Sequence, residues 1–171
     1  VVDCPPSLGL LTLNALSAAD YYLTPLQCEY YAMEGLGQFL HTAELIRKGL
    51  NRDLKQLGIL LTMYDSRNNL ARQVMTEVRN HFGEAVFESV IPRNVKLSES
   101  PSHGKTAVMY DINSSGSQSY LSLAQEVLQR LEFPDGVVPD AGVFDSLTPP
   151  APSVTDVPVV GGEEGIDHGL S

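Results

Sequence analysis

The chain has 171 residues, 43% of them apolar and 19% charged, a balance that suits one globular domain with a sizeable core. Its 11 Lys and Arg against 21 Asp and Glu give a formal charge of −10, which excludes a uniformly basic nucleic-acid binder. No run approaches the roughly 18 apolar residues that span a bilayer, and no charged stretch leads into an apolar one at the start, so neither a membrane span nor a secretory signal is expected.

The acidity is unevenly placed. From Pro134 onward there are seven acids and no Lys or Arg, which leaves 14 acids against 11 bases in residues 1–133. A local basic patch on the body is therefore compatible with the overall charge. Cys4 and Cys28 make neither a disulfide framework nor a metal-ligand set, and free thiols in a reducing compartment are expected.

Val1-Val2-Asp3 opens the sequence without a methionine and reads as the end of a buried strand, so the chain is expected to be a piece of a longer one. After Pro5-Pro6-Ser7, Leu8 to Ala19 is long and apolar enough for a helix. Tyr21 to Thr24 suits a short strand, expected to stop at Pro25. Met33, Leu36, Leu40, Ala43, Ile46 and Leu50 recur at helical steps and predict an amphipathic helix. Gly58 to Thr62 is a continuous apolar run, as in a strand covered on both faces.

A second amphipathic helix carries Leu70, Val74, Val78 and Phe82 on one side, and Gly83 is placed to end it in the left-handed conformation. Val86 to Ile91 predicts another strand, and residues 92–114, rich in Pro, Ser, Gly and Asn, an irregular stretch. A last helix is expected over Gly116 to Leu131, with Tyr120, Leu123, Ala124, Val127 and Leu131 on its apolar side.

Strands alternating with helices predict an α/β fold: a mostly parallel sheet with helices on both faces. Residues 1–133 form the expected domain, and 134–171, interspersed with Pro, Gly and acids, a disordered acidic tail. No internal repeat is visible.

In open α/β sheets ligands sit beyond the carboxyl ends of the strands. That rule selects Asp3, the loop after Thr62 and the loop after Ile91. An acid ending an apolar strand either caps the next helix or faces a hydrated Mg²⁺ beside a nucleoside triphosphate, as in a Walker B motif.

Four segments carry a family resemblance, in the family's order: Val1-Val-Asp-Cys-Pro-Pro-Ser-Leu-Gly-Leu-Leu-Thr-Leu-Asn-Ala-Leu16, Pro25-Leu-Gln-Cys-Glu-Tyr-Tyr-Ala-Met-Glu-Gly-Leu36, Leu61-Thr-Met-Tyr-Asp-Ser-Arg-Asn-Asn-Leu70 and Ile91-Pro-Arg-Asn-Val-Lys-Leu-Ser-Glu-Ser-Pro-Ser-His-Gly-Lys105. Together they resemble the ParA/Soj chromosome-partition ATPases, of the MinD/ParA deviant P-loop type, over roughly residues 1–131. The resemblance implies the C-terminal portion of a Rossmann-like P-loop NTPase domain. It also implies ATP and Mg²⁺ as cofactors and an ATP-dependent homodimer that binds nucleoid DNA non-specifically. A ParB-like centromere-binding partner would stimulate hydrolysis and release the dimer, in the cytoplasm and without a membrane.

By position, the resemblance makes Asp3 the catalytic Walker B acid that orients Mg²⁺ through water. Thr62, Met63, Pro92, Arg93 and Asn94 would border the adenine, and Arg67, Arg93 and Lys96 would contact DNA. Arg72 and Lys105 add to the same basic loops, with Asp65 and Glu99 the acids near them in sequence.

Two departures from the family pattern stand out. The glycine-rich phosphate loop is absent from this sequence and would lie before Val1, so this chain alone is expected not to hydrolyse ATP. After Tyr110-Asp111, where relatives commonly carry Arg or Lys, the run is Ile112-Asn113-Ser114-Ser115-Gly116-Ser117, which predicts weaker DNA affinity.

His103 reads as a structural loop residue, and His41, His81 and His168 have no partner at metal-ligand spacing. Tyr21-Tyr22 and Tyr30-Tyr31 read as core and rim aromatics. The alternatives to partition are a MinD-like or other cargo-positioning ATPase, and a non-enzymatic docking module. The acidic, Pro-rich tail differs from the basic amphipathic helix that would carry a membrane positioner.

Overall fold

A computed structural model of the chain describes residues 1–5, 7 and 9–132. The elements run α1 (Leu10–Ala18), β1 (Tyr21–Gln27), α2 (Ala32–Gly49), β2 (Lys55–Tyr64), α3 (Asn69–Phe82), β3 (Val86–Pro92), α4 (Val95–Glu99), α5 (Ala107–Tyr110) and α6 (Ser115–Glu132). The three strands pair in parallel in the order β1-β2-β3, so each connection is a helical crossover.

Helices cover both faces, as the alternation of elements predicts. On one face Leu36 and Leu40 of α2 and Val74, Val78 and Phe82 of α3 pack on Leu26, Ile59, Leu61 and Val86. On the other, Leu123 of α6 meets Leu60, Phe87 and Ile91. Neighbouring residues of β2 thus point to opposite helical layers, which is why the run reads as continuously apolar. A third cluster, Leu16, Ile46 and Leu54, fixes α1 against α2, and the Asn51 side chain donates to Leu16 and Ala19 oxygens at 3.1 and 2.8 Å to close the end of α1.

Several expectations need correction. Val1, Val2 and Asp3 are exposed and belong to no strand, because among the described residues no neighbouring strand supplies their ladder bonds. Pro25 does not stop β1, which runs through it to Gln27. Among the described residues that strand lies at the edge of the sheet, where a missing N–H is tolerated.

The stretch 92–114 is not irregular throughout. Asn94 caps α4 by accepting from Lys96 N at 2.8 Å, Thr106 caps α5 by accepting from Met109 N at 3.2 Å, and a 3₁₀ turn spans Ser100–His103. On α6, Tyr120, Ala124 and Leu131 are exposed and Leu123 is buried, because a three-stranded sheet gives an 18-residue helix only a narrow seat. Tyr30 and Tyr31 are 73% and 75% exposed and stack edge to face on each other rather than entering the core. Gly83 ends α3 with a positive φ of +50, but its ψ of −122 lies outside the expected left-handed helical region. The expected boundary at 133/134 and the acidic tail 134–171 lie outside the described residues.

Opposite Ile59–Leu61 of β2, which pair with Val86 and Val90, β3 carries extra residues in a bulge. The freed amides of Glu88 and Ser89 donate to the two oxygens of the Glu126 carboxylate at 2.8 and 2.9 Å, which ties α6 to the sheet. At the other end of the same helix, Ser115 Oγ accepts from Asn94 Nδ2 at 2.7 Å.

Candidate functional site

The carboxyl ends of the three strands are drawn together by two backbone bonds that extend the ladder. Cys28 N donates to Thr62 O at 3.3 Å, and Arg93 N donates to Tyr64 O at 2.9 Å. One edge therefore carries the loop after β1, the loop after β2 and the segment from β3 into α4. Thr62, Met63, Arg67, Pro92, Arg93, Asn94 and Lys96 all lie there.

Within this edge Met63 is exposed and holds φ +53, the only positive φ at a non-glycine among the described residues. That conformation costs a β-paired residue about 1–2 kcal/mol and turns the chain out of β2 toward the loop. Thr62 and Pro92 are half-buried beside it. Asn94 spends both ends of its amide on the protein, accepting from Lys96 N and donating to Ser115, so it sets the shape of the loop.

The cations reach outward from the same loops. Arg67 is bound two-pronged by Asp65, whose carboxyl that guanidinium holds down to about 2, with Arg93 adding a smaller pull in the same direction. Arg93 lies 3.9 Å from Glu29, which joins the loop after β1 to the loop after β3 across the end of β2. Lys96 pairs with Glu99 at 3.1 Å and sits 5.5 Å from the centre of the Tyr110 ring, whose hydroxyl donates to the same Glu99 oxygen. Glu29 was not legible as a member of this edge, because only the folded sheet brings it to Arg93.

His103 stacks on Tyr110 at 4.9 Å, in keeping with a structural loop role. Burial pushes the Cys28 thiol up, which fits a free, packed thiol. Asp3 stands apart: it is exposed in the segment before α1, and none of the edge's hydrogen bonds or ion pairs includes it. Among the described residues no group of three His, Cys, Asp or Glu could hold a metal ion, and no helix is long and apolar enough to cross a membrane.

A parallel sheet covered by helices on both faces, with its loops gathered beyond the strand ends, is the architecture of nucleotide-binding α/β proteins of the P-loop class. Solved structures agree. Cobyrinic acid a,c-diamide synthase from Mycobacterium smegmatis, with bound ADP and magnesium, superposes with a TM-score of 0.61 at 37% identity, over 79% of this chain and 48% of that one. The cell division ATPase MinD of Pyrococcus furiosus shares the fold, with a TM-score of 0.58 at 23% identity over 74% of this chain and 50% of its own. A family model described as an AAA domain matches residues 1–56.

Sequence relatives are more specific. Chromosome partitioning protein ParA of Myxococcus xanthus is 62% identical over 130 residues, 76% of this chain and 46% of the relative. Sporulation initiation inhibitor protein Soj of Bacillus subtilis is 58% identical over 127 residues, 74% and 50% of the two chains. Chromosome-partitioning ATPase Soj of Thermus thermophilus is 53% identical over 132 residues, 77% and 53%. Over about three quarters of its length the chain is a homologue of ParA and Soj chromosome-partitioning proteins. It spans about half the length of these relatives.

Proposed function

We propose that the protein carrying this chain is a chromosome- or plasmid-partitioning ATPase. It binds ATP and Mg²⁺, pairs with a second copy when ATP is bound, and in that state grips DNA without sequence preference. A ParB-like partner triggers hydrolysis and release, and the protein works in the cytoplasm on the nucleoid. The observation that carries this reading is the convergence of Arg67, Arg93 and Lys96 on the edge where α/β folds bind ligands, in a chain with ParA and Soj relatives.

The residues present fit the base end of a nucleotide and not its phosphates. Met63 and Pro92 offer apolar surface at the strand ends, with Thr62 and Arg93 flanking and Asn94 holding the loop in shape. The chain contains no glycine-rich lysine loop, and Asp3 is exposed outside the sheet, so neither phosphates nor Mg²⁺ find a cradle here. When bound, the nucleotide and its metal supply the phosphoryl group that is hydrolysed; this chain alone is proposed to be inactive in that step.

For DNA, long cations on exposed loops release condensed counterions on meeting phosphates, which gives affinity without base reading. Arg93→Ala in the complete protein is expected to weaken binding about equally on duplexes of unrelated sequence and to lower the salt slope by about one. Unchanged affinity in that variant would remove Arg93 from the DNA surface.

A further inference from the structure

Two of the three cations assigned to DNA are hydrogen-bonded by carboxylates of the protein, and the third, Arg93, lies 3.9 Å from one. Arg67 Nε meets Asp65 Oδ1 at 3.0 Å and Nη2 meets Oδ2 at 2.8 Å, while Arg67 N donates to the same Oδ1 at 3.0 Å. Arg93 faces Glu29 and Lys96 faces Glu99, so the carboxylates come from the loop after β1, the loop after β2 and α4. Burial does not force these pairs: the Arg67 side chain is 87% exposed. The fork that Arg67 presents to Asp65 is the one a guanidinium presents to a backbone phosphate.

Resting on the DNA reading above, we propose that Asp65, Glu29 and Glu99 are resident counter-anions of the basic edge, and that a nucleic-acid backbone binds only by displacing them. Exposed ion pairs are weak, so the exchange is cheap. Replacing one carboxylate by one isolated phosphate gains little. A duplex differs, because each phosphate contact also releases condensed counterions. The edge is therefore quiet toward small anions and selective for dense polyanions.

The sign of one substitution separates this from the opposite role. Were Asp65 there to aim Arg67 at DNA, Asp65→Asn would weaken binding. As a competitor, its removal strengthens it. Titrating a non-specific duplex with the complete, ATP-loaded protein over a salt series, Asp65→Asn is expected to bind about two- to fivefold more tightly at low salt, with the advantage fading as salt rises. Glu29→Gln and Glu99→Gln are expected to act in the same direction. Asp53→Asn and Glu84→Gln, which remove acids beside the amino ends of β2 and β3, report the effect of net charge alone.

A gain confined to the edge variants supports the proposal. Unchanged or weaker binding in Asp65→Asn, or an equal gain in the two control variants, overturns it while leaving the DNA reading intact. Absence of DNA binding by the unsubstituted protein overturns both.

Discussion

The Arg130 guanidinium bonds the Glu126 carboxylate at 3.0 Å, one turn apart on α6, and both side chains are less than a fifth exposed. Between them they serve backbone groups at five positions. Glu126 accepts from Glu88 N and Ser89 N, and Arg130 donates to Leu57, Ala85 and Val86 oxygens while lying 4.0 Å over the Phe87 ring. The pair replaces the ladder bonds that the bulge in β3 interrupts. It also anchors α6 at the amino ends of the strands, opposite the loops that carry the candidate site.

Breaking this pair leaves a largely buried charge without its partner. Arg130→Met is expected to lower unfolding free energy by about 3 kcal/mol, and Glu126→Gln by a similar amount. The double variant should lose clearly less than the sum, because each single change already strands the other group. Urea titrations of the four proteins measure this; full additivity would show the two act separately.

Glu126 also links stability to pH. Burial pushes its carboxyl up, but the Ser89 and Glu88 amides and Arg130 outweigh that and hold it below the ordinary range. A carboxylate depressed in the folded state contributes stability above its unfolded pKa of about 4.3 and loses it as pH falls through the lower folded value. Part of the acid-side loss should therefore vanish in Glu126→Gln. Identical acid-side slopes in the two proteins would contradict it.

Gly58 lies against this clamp. A Cβ there would come within 2.6 Å of Phe87, 2.7 Å of Arg130 and 2.9 Å of the Ala85 oxygen, at a φ of +156. Two of those neighbours are pinned and the third is backbone. Gly58→Ala is expected to cost about 2–4 kcal/mol by equilibrium denaturation, and a loss within experimental error would show the clamp to be soft.

Asp65 should titrate at about 2 because Arg67 holds its ionised form. In Arg67→Gln the carboxyl is expected to move up toward about 3.9, the value of an unperturbed aspartate. Side-chain carbon NMR across an acid titration follows it directly, and an unmoved Asp65 would mean the pairing is not populated in solution.

Asn94→Ala removes both the cap of α4 and the tie to Ser115, at a cost of about 1 kcal/mol. Asn94→Asp keeps the cap and loses only the donor. Thermal melts should order the three proteins wild type, Asn94→Asp, Asn94→Ala. Equal losses in both variants would mean that the cap contributes nothing.

The sheet and its covering helices were readable from period alone. Leu36, Leu40, Val74 and Val78 repeat at helical steps, and Gly58 to Thr62 is apolar because both faces of β2 are covered. Pro25 misled because a proline breaks a strand only where its N–H is needed, and edge position is set by the whole sheet. The short helices after β3 left a trace in Asn94 and Thr106, which are capping residues.

For the site, spacing identified the loops after β2 and β3, since ligand loops follow strand ends. Glu29 was hidden by its distance in sequence from Arg93, and Glu126 with Arg130 reads as a solvated helical pair until the bulge in β3 is seen. Asp3 goes the other way: its motif is legible, while the described residues supply no strand beside it.

The central claim is an ATP-controlled, sequence-independent grip on DNA. Its most direct test is the affinity of the complete protein for a non-specific duplex, with and without ATP, over a salt series. Binding is expected to require ATP and to fall steeply with salt, at a slope reflecting several phosphate contacts. Absence of binding under every condition, or binding indifferent to ATP, would contradict it and leave Arg67, Arg93 and Lys96 as ordinary surface charges.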